Sequence, residues 1–289
     1  MNASIFLGFY ANLKDKLRPG DQVLGAAAQF QGFGSTPDIQ RMALVADTSS
    51  INPTLNVDGY SINIESGTER LSRALTFTQT AHDAGKQAVF GPLRSDFETW
   101  MLLDSITGVP LVNPTQAQLD ANTQFNALLL ELEAIAFQAQ LLWAASSMNL
   151  TKEQTKTRIR YAISYVKMQN PLLIVPVQFW VPTRQTPQQV IEIANEMQGE
   201  IDLLSIGGQG TTFEQDTAAI LDGLEGRNMY ILTKDGIEVG RYAEKAAAEA
   251  AIDLALEAIV SAEASRFGVA YQADPVPGTI TESVTVTIT

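Results

Sequence analysis

The sequence predicts an α/β or α+β protein with a mixed sheet, several helices, an extended strand and loop region at its N-terminus, and a C-terminal strand. Three observations support this class. Residues 1–66 are rich in glycine and turn signals between short apolar runs. Strand-like and helix-like segments alternate from Thr68 onward, and the last residues, "GTITESVTVTIT", alternate with the period of two expected of a strand. We therefore divide the chain into a turn-rich region, 1–66, and an α/β body, 67–289.

Within the first region, the runs "RMALVAD" and "YSINIE" indicate strands separated by turns such as "QGFGSTPD". The body begins with the helical segment "TERLSRALTFTQTAHDAG", followed by the strand "QAVFGPL". Three later helix starts match a capping box. In this motif the side chain of the first residue accepts a hydrogen bond from the backbone N–H three residues later, and the side chain of that later residue accepts one from the backbone N–H of the first. These pairs are Ser95 with Glu98, Thr151 with Gln154, and Thr186 with Gln189.

The middle of the chain predicts one long helix, from Asn122 to Asn149, whose only charges are Glu131 and Glu133. A helix that is apolar around most of its circumference must be buried on several sides. The run "PLLIVPVQFWVP" contains three prolines, which favours an edge strand or a bulged strand over a central one. The dipeptide Asp235-Gly236 predicts a hairpin turn.

The terminal strand raises the question of what covers it. Val284, Val286 and Ile288 share one face, and the strand has none of the lysine or proline residues that usually protect an exposed edge. We therefore expect these three residues to face a core or a neighbouring subunit, and they are our candidate subunit interface.

The composition excludes several classes of function. The chain has no cysteine, one histidine and a net charge of −13, which argues against thiolate or histidine metal sites and against direct nucleic-acid binding. We identify no signal peptide and no confident membrane span, so a soluble protein made in the cytoplasm is expected. We also expect no metal and no organic cofactor.

The glycine-rich segment "SIGGQGTT", Ser205 to Thr212, is the most enzyme-like feature of the sequence. A glycine turn between a strand and a helix can present backbone N–H groups to an anion, here from Gly207, Gly208 and Gly210. It matches neither established phosphate-binding pattern, so a structural turn is the favoured interpretation.

Other ionisable candidates also have structural explanations. His82 stands at the end of a helix, where a cation is favoured, and no GxSxG element is present to complete a triad. Asp96 and Glu98 are two residues apart and lie on different sides of a helix, so they do not form a catalytic carboxylate pair.

The segment "KQAVFGPLRSDFETWMLLDSITGVPLVNPT" resembles the part of type I periplasmic binding proteins in which a strand, a turn, a helix and a second strand line the ligand cleft. The resemblance implies that Arg94 and Ser95 contact a ligand. A small-ligand-binding α/β domain is therefore our alternative interpretation, with Gly207, Gly208 and Gly210 as further ligand contacts.

In its size, acidity, lack of cysteine and extended first sixty residues, the chain resembles structural proteins of tailed-bacteriophage virions. This resemblance implies a non-enzymatic protein of a capsid shell, tail or neck that assembles with copies of itself and other virion proteins, and has no membrane partner. The main prediction from the sequence is therefore a self-assembling virion component.

Overall fold

The computed structural model describes most of the chain. The described residues are 1–34, 38–64, 69–104, 107–139, 150–225, 230–234, 237–242, 250–251, 253–254 and 284–288. They fall into two compact units, Met1–Leu224 and Glu225–Thr289.

The first unit is built on a parallel sheet of nine strands, which confirms the α/β class. In chain order the strands are β1 Asn2–Phe6, β2 Gln22–Ala26, β3 Gln40–Val45, β4 Gly59–Ile64, β5 Gln87–Pro92, β6 Ala134–Ile135, β7 Phe137–Gln138, β8 Pro176–Val181 and β9 Leu203–Gly208. Their order across the sheet is β6-β5-β4-β3-β2-β1-β9-β8-β7. Residues 1–66, predicted as a separate extended region, therefore supply four strands in the middle of this sheet.

The sheet closes on itself because its two end strands are neighbours in the chain. Only Ala136 separates β6, which pairs with β5, from β7, which pairs with β8. The amide of Ala136 donates to Phe90 O at 2.8 Å, and the amide of Ala139 donates to Gln178 O at 2.8 Å. Residues 134–138 thus act as one barrel strand, which joins both ends of the sheet. The result is a closed parallel barrel of eight strands, in which β6 and β7 count as one.

Helices follow the later barrel strands and return the chain to the amino end of the sheet. The α-helices of this unit are α1 Tyr10–Leu13, α2 Arg70–Asp83, α3 Arg94–Trp100, α4 Gln116–Leu129, α5 Lys152–Gln169, α6 Pro187–Glu196 and α7 Phe213–Gly223. Phe77 and Ala74 of α2, both buried, show how an apolar stripe on each helix covers the outside of the barrel. Within the described residues, no helix has the length and apolar character needed to cross a membrane.

Two of the three predicted capping boxes are confirmed. Thr151 accepts from the amide of Gln154 at the start of α5, and Thr186 accepts from the amide of Gln189 at the start of α6. The prediction for Ser95 and Glu98 is wrong. Helix α3 begins after Leu93 without a side-chain cap, because Glu98 turns inward to form a buried ion pair.

The predicted helix from Asn122 to Asn149 is also wrong. Helix α4 ends at Leu129, and residues 134–138 form the strand that closes the barrel. Residues 140–149 lie outside the described residues. Within the described part of the stretch, Leu128, Leu129, Leu132, Ile135 and Phe137 are buried, whereas Leu130 is exposed.

The run "PLLIVPVQFWVP" forms β8, which pairs with β7 on one side and β9 on the other, so the predicted edge position is wrong. Pro176 is the first residue of the strand and Pro182 follows its last residue. Proline is tolerated at the start of a strand even in the interior of a sheet.

The second unit contains a three-stranded antiparallel sheet. Its strands are β10 Tyr230–Lys234, β11 Ile237–Tyr242 and β12 Val284–Ile288. Strands β10 and β11 form the hairpin that Asp235-Gly236 predicted, and β12 confirms the predicted terminal strand by pairing with β10 along its whole length. The side chains of Val284, Val286 and Ile288 lie outside the described part of this strand, so their role at a subunit interface stays a prediction.

Ion pairs between α5 and α6 lead to a first testable prediction. Glu196 Oε1 and Oε2 each lie 2.5 Å from a lysine nitrogen, that of Lys152 and of Lys156 respectively. These hydrogen bonds lower the pKa of Glu196 from 4.5 to about 2. A carboxylate with a lowered pKa stabilises the folded state above its unfolded pKa, and this contribution is lost as the pH falls toward the folded pKa.

We therefore expect the free energy of unfolding to decline between about pH 5 and pH 2, and this decline to be smaller in a Glu196→Gln variant. Urea unfolding at a series of pH values measures the effect. Glu192→Gln is the matched control, because Glu192 lies 3.9 Å from Lys152. Equal pH dependence in wild type and Glu196→Gln would contradict the assignment.

Candidate functional site

The two faces of the barrel strands differ in what covers them. Phe90 of β5 stacks on Trp100 of α3 with ring centroids 6.1 Å apart, and Phe137 of β7 meets Phe97 of α3 at 5.3 Å. The face that carries Phe90 and Phe137 is therefore the helix-covered outside. Because successive strand residues point to opposite faces, the alternate residues face the interior of the barrel.

Six uncharged polar residues form one continuous row on this interior face. The register of adjacent strands places them side by side, in the order Gln40, Gln22, Ser4, Ser205, Gln178 and Gln138. The row starts at the first residue of β3 and ends at the last residue of β7, so it rises from the amino end of the barrel to the carboxyl end. Parallel barrels usually fill their interior with layers of Val, Ile and Leu. A polar row in their place indicates a function other than packing.

The row divides into two halves with different hydrogen bonding. In the lower half, Ser4 Oγ donates to Gln22 Oε1 at 3.0 Å, and Gln22 Nε2 donates to Gln40 Oε1 at 3.4 Å. In the upper half, no hydrogen bond joins the side chains of Ser205, Gln178 or Gln138 to another described residue. Buried polar groups normally have partners, so the upper half is a place where a ligand or water can bind.

The carboxyl ends of the strands complete the mouth of the barrel. Asn63 of β4 is exposed there, and its side chain occupies the space that a side chain at Gly91 of β5 would need. On the opposite wall, the indole ring of Trp180 lies 3.4 Å from the position that a Cβ atom at Gly207 would take. The two glycines therefore leave room for an amide on one side and an aromatic ring on the other.

The interior of the barrel is not fully packed below this mouth. Val89 and Leu24 face the interior near the middle of β5 and β2, yet both are only half-buried. Gln138 is 3% exposed and Ser205 is 7% exposed, so these polar groups line the deep part of the opening. None of the interior-facing residues of strands β1 to β9 is charged. The site is thus an uncharged, hydrogen-bonding recess with the indole ring of Trp180 on one wall.

Charged side chains lie beside the mouth, buried between α3 and α5. Arg158 Nη1 is 2.6 Å from Glu98 Oε1, and Arg94 Nε is 3.8 Å from Glu98 Oε2. Burial raises the pKa of Glu98, and the positive charges of Arg94 and Arg158 oppose that rise. Burial also lowers the pKa of Arg94. These groups hold the segment after β5 in place, at the end of the barrel where the interior opens.

The residues predicted from the sequence are distributed around this site. Arg94, a predicted ligand contact, is 3% exposed and is directed toward Glu98, whereas Ser95 is half-buried on the first turn of α3. Gly207 and Gly208 end β9 at the mouth, and only Gly207 faces the interior. Gly210 follows with a positive φ of 111°, which suits a turn residue.

The segment resembling periplasmic binding proteins does not continue as a ligand-lining strand. Val109 is 55% exposed and Val112 is 90% exposed, and the pairing there is limited to an isolated antiparallel bridge between Leu103 and Pro110. The second strand of the resemblance is therefore not formed by residues 109–112, and contact of Arg94 and Ser95 with a ligand stays a prediction.

His82 lies at the opposite end of the barrel from the mouth. It belongs to the last turn of α2, and its Nε2 is 3.0 Å from Glu133 Oε1 in an open polar depression of about 680 Å³. Among the residues that the structure describes, no group of three or more His, Cys, Asp or Glu side chains could hold a metal ion.

Sequence reasoning missed the residues that the barrel brings together at its mouth. A usable signal was present, because Gln178 and Ser205 are single polar residues within the apolar strand segments "PVQFWV" and "LLSIGG". Asn63 interrupts "YSINI" in the same way. A polar residue at every second position of a buried strand marks a face that is not packed against helices.

No family model matches the chain, and no curated protein matches it. Solved structures do match. A family 18 chitinase from Crocus vernus matches at 11% identity over 76% of this chain and 96% of its own, with a TM-score of 0.46. The catalytic domain of a family GH18 chitinase from the fern Peteris ryukyuensis matches at 12% identity over 76% and 99%, with a TM-score of 0.48. An archaeal fructose-1,6-bisphosphate aldolase matches at 8% identity over 77% and 93%, with a TM-score of 0.43. Similarities this low transfer neither a substrate nor a catalytic residue.

The prediction of a non-enzymatic, self-assembling capsid, tail or neck protein is wrong. The chain forms a closed parallel barrel whose interior opens at the carboxyl ends of its strands, which is where barrel enzymes carry their active sites. The predicted virion location and partners stay predictions that nothing in the structure tests.

Proposed function

We propose that the chain is an enzyme that binds a neutral carbohydrate at the carboxyl end of its barrel and acts on a glycosidic bond. One observation carries the proposal: the Gln138 amide is 3% exposed, faces the barrel interior and makes no hydrogen bond to another described residue. An amide in this position costs free energy unless a ligand or water satisfies it.

The chemistry of the recess favours a polyhydroxylated ligand. Each glutamine or asparagine amide offers two donors and an acceptor, which matches hydroxyl groups that both donate and accept. Gln138, Gln178 and Asn63 supply three such amides around one opening. The indole of Trp180 adds a flat apolar surface on which the C–H face of a sugar ring can pack.

The absence of charge on the interior-facing strand residues argues against phosphorylated or carboxylated ligands. A buried anion needs a positive partner or several donors directed at it, and Arg94 and Arg158, which lie beside the mouth, are directed toward Glu98. The net charge of −13 also repels anions. A neutral glycan is therefore the class of ligand that this opening suits best.

Hydrolysis of a glycoside requires a carboxylic acid that protonates the oxygen of the leaving group. Glu65 directly follows Ile64, the last residue of β4, in the sequence, and it lies outside the described residues. We assign the acid role to Glu65 on sequence position alone, since catalytic residues of barrel enzymes follow the ends of strands.

The experiment that tests the proposal is calorimetric titration with neutral oligosaccharides of glucose, N-acetylglucosamine and mannose. We expect one of them to bind, and Gln138→Leu to weaken its binding about tenfold or more because the variant loses hydrogen bonds to the ligand. Gln188→Leu, on the outer helix α6, is the matched control and should bind as the wild type does. Absence of binding by all three sugars, or equal affinity of Gln138→Leu, would overturn the carbohydrate assignment.

The same sugars test the reaction. Wild type should release shorter products from the oligosaccharide that binds, and Glu65→Gln should retain binding while losing turnover. Binding without turnover by wild type would contradict an enzyme and leave a binding protein.

A further inference from the structure

We propose that Ser205 and Gln178 form a deep subsite below the mouth, which takes a small uncharged group able both to donate and to accept hydrogen bonds, such as a hydroxyl or an amide. The Ser4–Gln22–Gln40 chain of hydrogen bonds is the floor of this subsite. The inference deepens the proposed function by naming the kind of substituent that the ligand carries, but the subsite can be tested without any sugar.

The first argument is the change in hydrogen bonding along the interior row. Ser4 and Ser205 are register partners on adjacent strands, so they stand side by side in the row. On one side of this pair, Ser4 and Gln22 satisfy each other, with Ser4 2% exposed and Gln22 9% exposed. On the other side, the hydroxyl of Ser205 and the amide of Gln178 have no partner among the described residues. The side chains on the Ser4 side of this pair thus have hydrogen-bond partners in the protein, and those on the Ser205 side have none among the described residues. The subsite ends between Ser4 and Ser205.

The second argument is the space around Ser205. Gly207, the next interior-facing residue of β9 toward the mouth, has no side chain and is half-buried. Val89, which faces the interior near the middle of β5, is only half-buried, so the interior is not fully packed. A polar group that is buried but reachable is what a binding subsite needs, whereas a packed structural serine would be closed off.

The third argument is charge. The subsite has two hydroxyl or amide side chains and no ionised one, so a charged substituent would lose its hydration without gaining a counter-charge. A neutral group that donates and accepts can satisfy both Ser205 and Gln178. The subsite should therefore discriminate acetamide from acetate, which has the same shape, and from the smaller cation methylammonium.

The test uses the full-length protein with 15N-labelled glutamine side chains, observed by NMR during titration with acetamide. We expect saturable shifts of the side-chain amide signals of Gln178 and Gln138, and no saturable shift of the Gln22 signal, because Gln22 is already bonded to Ser4 and Gln40. Acetate and methylammonium should cause no saturable shift. Ser205→Ala, which removes the hydroxyl and adds no atom, should weaken acetamide binding about fivefold or more.

Gln40→Leu is the control in the lower half of the row, and it should leave acetamide binding within about twofold of wild type. The proposal is overturned if acetamide causes no saturable shift, if Gln22 responds as strongly as Gln178, or if Ser205→Ala binds acetamide as well as wild type does. Failure of all sugars to bind, together with saturable acetamide binding, would remove the carbohydrate assignment and retain the subsite.

Discussion

Replacing Glu98 with leucine is expected to lower the free energy of unfolding by about 3–5 kcal/mol, because the substitution leaves Arg158 buried without its carboxylate partner. Glu98 is fully buried, and its Oε1 is 2.6 Å from Arg158 Nη1. Arg94, the second arginine beside Glu98, would lose the same counter-charge. Chemical denaturation of the two proteins at neutral pH measures the difference.

Glu153→Gln is the control on α5, because Glu153 also forms an ion pair, 2.7 Å from Lys156, but its side chain is 70% exposed. Exposed pairs typically contribute about 0–1 kcal/mol, so this variant should be nearly as stable as wild type. A triple variant that replaces Glu98, Arg94 and Arg158 by apolar residues should recover part of the loss, since no buried charge then remains unpaired. A Glu98→Leu protein with wild-type stability would show that the carboxylate does not neutralise the buried arginines.

Short-range signals in the sequence predicted several elements correctly. The capping boxes at Thr151 and Thr186 depend on residues three positions apart, and the hairpin at Asp235-Gly236 depends on two adjacent residues. In each case the signal is local, because it joins residues no more than three positions apart. The turn residues Asp235 and Gly236 themselves lie outside the described residues. Such elements form in the same way whatever the rest of the chain does.

The closure of the barrel had no comparable signal. It requires β1 to pair with β9, about two hundred residues later in the chain, and it requires the segment 134–138 to be a strand. The sequence "AIAFQ" of that segment is a short apolar run, which reads equally well as part of a buried helix. Tertiary pairing with β5 and β8 decided between the two conformations.

The candidate site depends on closure in the same way. Gln178 and Ser205 are visible in the sequence as polar residues within apolar runs, but their position beside Gln138 follows only from strand register. Ser95 and Arg94 were predicted from a resemblance in one segment, and the barrel places the guanidinium of Arg94 against Glu98. A site built from several distant strands becomes visible only when the order of those strands is known.

Alanine at Gly208 is expected to lower the free energy of unfolding by about 1–3 kcal/mol, because its Cβ atom would overlap the carbonyl oxygen of Val181. That oxygen belongs to the backbone of β8, the register partner of Gly208 in the barrel. The ring of Phe213 is also within 2.9 Å of the new atom. Neither neighbour can move without disturbing a paired strand or the start of α7, so the strain is not easily relieved.

Gly207→Ala is the matched control, because its Cβ atom would lie 3.4 Å from the Trp180 ring and 3.5 Å from Gln178 Nε2, which are ordinary contact distances. This variant should keep wild-type stability, and since its methyl group enters the mouth it should weaken binding of the oligosaccharide that wild type binds. Thermal unfolding and calorimetry on both variants therefore separate the two glycines, one required by strand packing and the other by the site.

An anion site formed by the backbone N–H groups of Gly207 and Gly208 predicts instead that phosphate raises the Tm of wild type and that Gly208→Ala removes this effect at unchanged stability. Stability of Gly208→Ala equal to that of Gly207→Ala would contradict the steric argument, because the two substitutions add the same methyl group to adjacent residues of one strand.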